Sequence, residues 1–155
     1  MSNHELLDTK TLTAWASYQR MRVRLSGRLN RELAEKTGLS EADYDILTML
    51  AEMPDQSIQA MALRCGLEWE KSRLSHQLRR MEERGLVARE DCVEDNRATS
   101  VRITELGRRL AAEARVHYEE AVRRYVADVL TPEQLEALGS IAETVLVQLE
   151  ERHRA

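Results

Sequence analysis

Between Thr9 and Lys36 the apolar residues Tyr18, Met21, Leu25, Leu29 and Leu33 recur at three- and four-residue intervals, the spacing of one helical face. This predicts a long first helix. It should end near Gly38, a residue suited to the left-handed position just past a helix, and a new helix should start with Ser40 as its N-cap. That second helix carries Tyr44, Ile46, Leu47 and Leu50, and Pro54 closes it by disfavouring helical geometry at Met53. Ser57 is the expected cap of a short third helix with Ile58, Met61, Ala62 and Cys65 on its buried side, and "CGLEW" reads as the turn that follows.

In "EKSRLSHQLRRMEERG" the same three-four spacing picks out Leu74, Leu78 and Met81, so Ser72, Arg73, Ser75, His76 and Arg79 must project from the other side of a fourth helix. Gly85 suits its end. "LVARE" and "TSVRI" are β-prone runs joined by the charged segment "DCVEDNRA", which predicts a hairpin with a long exposed tip. Thr104 then precedes a helical pattern reaching about Val129. "TPEQ" opens the last helix with Thr131 as N-cap, Pro132 at the first helical position and Gln134 completing a capping box. Along it Leu135, Leu138, Ile141, Ala142, Val145, Leu146 and Leu149 make an apolar stripe wider than a lone terminal helix can cover.

Composition agrees with a helical globular domain: 155 residues, 43% hydrophobic and 32% charged, with 6 Gly, 2 Pro and no Phe. The formal net charge of −4 argues against a uniformly basic nucleic-acid coat, but that total averages over faces with different partners. "KSRLSHQLRR", Lys71 to Arg80, holds four cationic side chains and no acid, whereas the stretch from Pro132 to Glu151 is dominated by Glu. The start "MSNHELLDTKTLTAW" has no basic segment leading into an apolar run, and no stretch is long enough to span a bilayer, so a cytoplasmic protein is expected. Cys65 and Cys92 cannot build a disulfide framework and are expected as reduced thiols. No Cys/His cluster has zinc-ligand spacing, His4, His117 and His153 are isolated, and neither metal nor cofactor is implied. An enzyme finds no support either, since a Gly-rich phosphate loop and a nucleophile elbow are both missing.

Two short helices joined by a tight turn and followed by a hairpin describe a winged helix-turn-helix. The segments "LSEADYDILTML", "WEKSRLSHQLRRMEERGLVARE" and "EDNRATSVRITELG" resemble the signature segments of the MarR family of bacterial transcription regulators, most clearly from Ser40 to Gly107. The resemblance implies a mainly α fold with a small β-hairpin wing: six helices, the first and last two forming a dimerisation region. It implies a single domain over 1–155, made of a dimerisation helix (9–37), a winged helix-turn-helix lobe (40–103) and dimerisation helices 5 and 6 (104–155). The implied partners are a second copy of the chain and a pseudo-palindromic duplex operator, and the implied function is transcriptional regulation, most often repression. Carried over by position, the reader residues are Ser72, Arg73, Ser75, His76 and Arg79, and Arg97 is the wing arginine, oriented by Asp95. His76 stands where the family commonly has Arg, and Glu94 adds an acid to the wing; both departures bear on the preferred DNA sequence.

Elementary chemistry points the same way. Arg can donate two hydrogen bonds to guanine in the major groove, and a wing Arg is drawn to the negative potential of a narrow minor groove. Lys71 and Arg80, nearer the edge of the face, suit phosphate contacts that set position. Taken alone, such a charge run is more often a solvated helix face; the capped turn, the hairpin and Arg97 together favour DNA. The remaining alternative is an interaction module that kept the fold and lost DNA affinity. The resemblance further implies a site for small aromatic or phenolic effectors between dimer helices and DNA-binding lobe. Trp15, Tyr18, Arg22 and Tyr44 are its candidates, with Arg22 meeting an effector carboxylate. Against this, aromatic residues at helical spacing are usually core.

Overall fold

A computed structural model describes residues 6–92 and 95–154, with side chains left out of the description at 91, 92, 95–98, 153 and 154. The chain divides into two compact units, Met1–Tyr118 and Glu119–Ala155.

In the first unit, α1 (Thr9–Thr37) starts on Asp8, whose carboxylate accepts from the Thr11 amide at 2.7 Å, and stops at Gly38 with φ 74°. α2 (Glu41–Glu52) opens on a reciprocal capping box: the Ser40 hydroxyl accepts from the Asp43 amide, and the Asp43 carboxylate accepts from the Ser40 amide. Met53, extended ahead of Pro54, closes it. β1 (Ser57–Gln59), α3 (Ala60–Leu67), α4 (Lys71–Glu83), β2 (Val87–Cys92), β3 (Asp95–Ile103) and α5 (Glu105–Val122) follow. The sheet is antiparallel throughout, in the order β1-β3-β2, with Ile58 opposite Val101 and Arg89 opposite Val101 on the other edge.

The core gathers Leu33, Leu39, Ile46, Leu47, Leu50, Leu63, Leu74, Leu78, Met81, Leu86, Val101 and Ile103, all essentially sealed from water. Thus α2 and α4 bury the residues their spacing selects, and the β-strands close the remaining side. The start of α5 packs very tightly. A Cβ at Gly107 would sit 2.2 Å from the Leu86 carbonyl oxygen, and backbone cannot swing aside as a side chain can. Thr104 caps α5 there: its hydroxyl accepts from the Gly107 amide at 3.0 Å and donates to the Gly85 carbonyl at 2.6 Å.

Two expectations need correction. Ser57 does not cap a helix; it begins β1, because residues 57–59 find backbone partners in β3 more than forty positions later. α3 therefore starts at Ala60 in a different phase. Leu63 is its buried residue, whereas Met61, Ala62 and Cys65 are exposed and Ile58 packs partly buried from the strand. Second, "DCVEDNRA" is not all loop, since the strands pair through Asp91↔Thr99 and, after a register shift, Cys92↔Asp95. The expected turn in "CGLEW" is present, with its left-handed residue at Glu68 (φ 55°). Of the first helix's stripe only Leu29 and Leu33 are buried; Tyr18 and Met21 are exposed.

In the second unit the α-helix gives way at Arg123–Ala127 to a wider π turn, short of the expected end near Val129. α6 (Pro132–Arg154) then begins on the expected capping box, with Thr131 Oγ1 accepting from the Gln134 amide at 3.1 Å and Gln134 Oε1 accepting from the Thr131 amide at 2.9 Å. Among the described residues, no helix is long and apolar enough to cross a membrane.

On α2 the Asp45 carboxyl is pushed up to about 6 from 3.8, chiefly by burial and then by the Glu41 carboxylate. Burial, with Asp45 next, also raises the Tyr118 phenol, whose ring lies 4.8 Å from that of Tyr44. A folded-state pKa above the unfolded one means that the folded protein binds this proton more tightly. The contribution to stability is therefore complete below the unfolded pKa and is lost as pH rises through 6. The Asp45 side chain is nonetheless exposed to solvent, which screens much of the effect. Asp45→Asn should raise the thermal midpoint at pH 7.5, with the gain closing as pH falls below about 4. A gain independent of pH in parallel melting curves would contradict this origin.

Candidate nucleic-acid interface

α4 has two faces. Leu74, Gln77, Leu78 and Met81 are buried, and Lys71, Ser72, Arg73, Ser75, His76, Arg79 and Arg80 are all exposed. The structure thus brings the seven candidate residues of this helix onto its outer side, in three turns. The first turn adds backbone N–H groups that no intrahelical carbonyl can satisfy, and the N-cap Glu70 makes no side-chain cap bond to them. An exposed helix N-terminus flanked by Lys71 and Arg73 suits an anion such as a phosphate.

Several of these side chains are held. Arg80 donates from Nη2 to Gln77 Oε1 at 2.8 Å. Arg79 Nη2 lies 3.3 Å from His76 Nδ1, and a guanidinium, having no acceptor, can only donate in this contact. The Arg73 guanidinium sits over the Trp69 ring, 3.9 Å from its centroid, and Trp69 itself packs partly buried against the core. Trp69 escaped the reading of the sequence. Its signal was available, because an aromatic ring just before a helix N-cap lies within reach of a cation in the first helical turn, and a cation is attracted to the face of such a ring.

Beneath this surface lies a polar network centred on Asp43 and Gln77, which among the described residues are the buried polar side chains, 3% and 6% exposed. Asp43 accepts from Gln77 Nε2 at 2.5 Å, from Arg84 Nη1 at 2.8 Å and from the Ser40 amide at 2.9 Å. Arg84 also donates to the Gly38 carbonyl at 2.7 Å. The end of α1, the start of α2, the middle of α4 and the turn after it therefore meet on one carboxylate. The amide of Gln77 has one orientation compatible with both neighbours: Nε2 to the acceptor Asp43, Oε1 to the donor Arg80. Among the described residues every buried side-chain polar atom has a partner.

On the wing, Arg89 and Arg102 pair with Glu82 and Glu90 at 3.5 and 3.6 Å. Asp95 and Arg97 belong to β3, but their side chains lie outside the described residues, as does Glu94 altogether. Between α3, α4 and the sheet runs a groove of about 460 Å³ whose walls include Met61, Arg64, Lys71, Ser75, Arg89 and Thr99. The four effector candidates are placed differently. Tyr44 is core, 8% exposed and packed against the tilted ring of Tyr118, whereas Trp15 and Tyr18 stand exposed on α1 with ring centroids 5.3 Å apart. Arg22 is exposed and donates to Gln19 Oε1 at 2.8 Å.

Comparison with known proteins places these features in context. The family model described as "MarR family" matches residues 39–99. A homoprotocatechuate degradative operon repressor of Escherichia coli is 30% identical over 113 residues, which is 73% of this chain and 74% of that protein. The HTH-type transcriptional regulator YdgJ of Bacillus subtilis is 26% identical over 98 residues, 63% of this chain and 58% of that protein's length. Among solved structures, Sco3205 of Streptomyces coelicolor, a MarR family transcriptional regulator in complex with DNA, superimposes with a TM-score of 0.87 at 32% identity, covering 94% of this chain and 91% of that one.

Asp43→Ala should cost about 2–3 kcal/mol in chemical denaturation, from the orphaned buried amide of Gln77 and the lost α2 cap; Arg84, nearly half exposed, regains water. A loss well under 1 kcal/mol would show that the network does not hold the lobe together.

Proposed function

The chain belongs to the MarR family, and from that premise we propose that it is a homodimeric regulator that binds a pseudo-palindromic duplex DNA site through α4 and represses transcription there. The observation that carries the reading is the outer face of α4. Seven exposed side chains, four of them cationic and none acidic, run from Lys71 to Arg80 on a helix whose other side is locked into the core. Such a helix can lie in the major groove without unfolding anything. The DNA complex of Sco3205 supports duplex DNA as the partner, and the E. coli operon repressor supports repression as the sign.

Within this reading, Arg73, Ser72, Ser75, His76 and Arg79 face base edges, Lys71 and Arg80 hold phosphates, and Arg97 with Asp95 serves the minor groove. The dimer rests on uncovered apolar surface. Leu135, Leu138, Ile141, Val145, Leu146 and Leu149 are between 37% and 64% exposed on α6, and Leu12, Trp15, Tyr18 and Met21 are comparably open on α1. So much apolar surface calls for a partner, and a second copy gives the two-fold symmetry of a palindrome. An aromatic effector gains no support from its four candidates, since Tyr44 is committed to the core while the other three stand on an open helix.

The test uses duplexes selected for binding from a random pool, titrated against variants. Arg73→Ala should lose about 1–3 kcal/mol per half-site and relax preference at one base of each. Lys71→Ala should weaken all sequences alike and flatten the salt dependence by about one unit of slope per contact. If Arg73→Ala leaves both affinity and base preference intact, α4 is not the reader. A protein that gives no competitor-resistant complex with any duplex would be an interaction module instead.

A further inference from the structure

Resting on α4 as the DNA reader, we propose that Trp69 is a positioning residue that determines specificity: its indole face pre-orients Arg73 for bidentate hydrogen bonding to a single guanine. Trp69 stands one residue before the helix N-cap Glu70, and Arg73 is the third residue inside the helix. The ring is fixed from behind. Its backbone N–H donates to the Arg64 carbonyl at 3.2 Å, the left-handed Glu68 turns the chain just before it, and its side chain packs against the core. The guanidinium carbon lies 3.9 Å from the ring centroid, well inside cation–π range.

This contact differs in kind from those of the other two helix arginines. Arg79 and Arg80 each direct an N–H at a neighbouring side chain, His76 and Gln77. Arg73, among the described residues, donates no hydrogen bond, and its guanidinium carbon lies over the Trp69 ring. All five N–H donors along its edges therefore stay available, and a bidentate contact to guanine needs two of them side by side. A free arginine must lose its rotamer freedom on binding, whereas one already lying on a ring has lost much of it beforehand. Preorganisation helps the matched base most, because only there are both edge hydrogen bonds made; at other bases the ordered guanidinium finds fewer acceptors. The indole shelf therefore sharpens discrimination as well as affinity.

The experiment measures affinity for a selected operator and its single-base variants at two salt concentrations, for Trp69→Leu, Trp69→Phe, Trp69→Tyr, Arg73→Ala and the double variant Trp69→Leu/Arg73→Ala. Trp69→Leu keeps apolar bulk without a π face. It should reduce discrimination at the base that Arg73 reads by about 3–5-fold per half-site, hence roughly 10–25-fold for two, with the salt slope unchanged. The ring variants should rank Trp, Tyr, Phe in discrimination, and in the Arg73→Ala background Trp69→Leu should change nothing further. Should Trp69→Leu fail to fold, the ring series decides the matter, and full discrimination by Trp69→Phe then counts against the proposal. Weakening of all sequences alike, or an undiminished effect without Arg73, would overturn it by making Trp69 a structural or phosphate-side residue. If Arg73→Ala itself leaves base preference unchanged, the reader assignment falls and the proposal with it. If Arg73→Ala relaxes preference and Trp69→Leu does not, the proposal alone fails.

Discussion

The Asp43 carboxylate is nearly sealed from water, and the arrangement of the DNA-binding lobe depends on how its acceptor sites are filled. A buried acceptor left without a donor would cost about 1–3 kcal/mol, so alternative packings of α1, α2 and α4 that separate these groups are penalised. The native packing supplies a backbone N–H from Ser40, the amide of Gln77 and the guanidinium of Arg84. Apolar contacts among Leu47, Leu50, Leu78 and Met81 provide most of the burial but little direction. The polar network adds register, since Gln77 reaches Asp43 from only one rotation of α4. That rotation also decides which side of α4 meets solvent, so one buried contact and one exposed cationic face are two consequences of a single constraint.

The same logic reconciles an acidic protein with an anionic partner. A net charge of −4 is spread over the whole chain, whereas in the proposed reading a duplex would meet the face from Lys71 to Arg80 at short range. At physiological salt the Debye length is about 8 Å, so glutamates well beyond that distance scarcely oppose contact. On the lobe itself several acids are already paired: Glu82 with Arg89, Glu90 with Arg102, Asp43 with Arg84. The Gln77–Arg80 and Trp69–Arg73 contacts then order the cationic side chains before any ligand arrives. Less ordering remains to be done on binding.

Where local physics governs the structure, the sequence was readable. The caps at Ser40 and Thr131, the stop at Gly38 and the buried spacing of α2 and α4 follow from neighbours within four residues, and each is observed. What escaped depends on distant pairing. β1 exists only because Ser57–Gln59 lie against Ser100–Arg102, and that pairing resets the phase of α3, which turns Met61 and Cys65 outward. Gln77 and Asp43 were invisible for a related reason: a periodicity argument assigns polar residues to the outside, and these two go inside because they satisfy each other. The exposed half of the α1 stripe shows the opposite failure, since periodicity reports that a face is apolar without naming what covers it. In the site, the seven α4 positions could be read from spacing, whereas Trp69 required noticing that a cation lay four residues along from a ring.

The central claim is that two copies of this helix read DNA together from a symmetric dimer. Its most direct test is the selection of bound sequences from a random duplex pool by the wild-type protein. The account predicts a pseudo-palindromic motif with guanine at a fixed place in each half-site and half-site centres about 10 base pairs apart, one helical turn, so that both copies of α4 meet the same face of the duplex. A motif without two-fold symmetry, half-sites at a spacing that puts them on opposite faces, or no enrichment at all would contradict it.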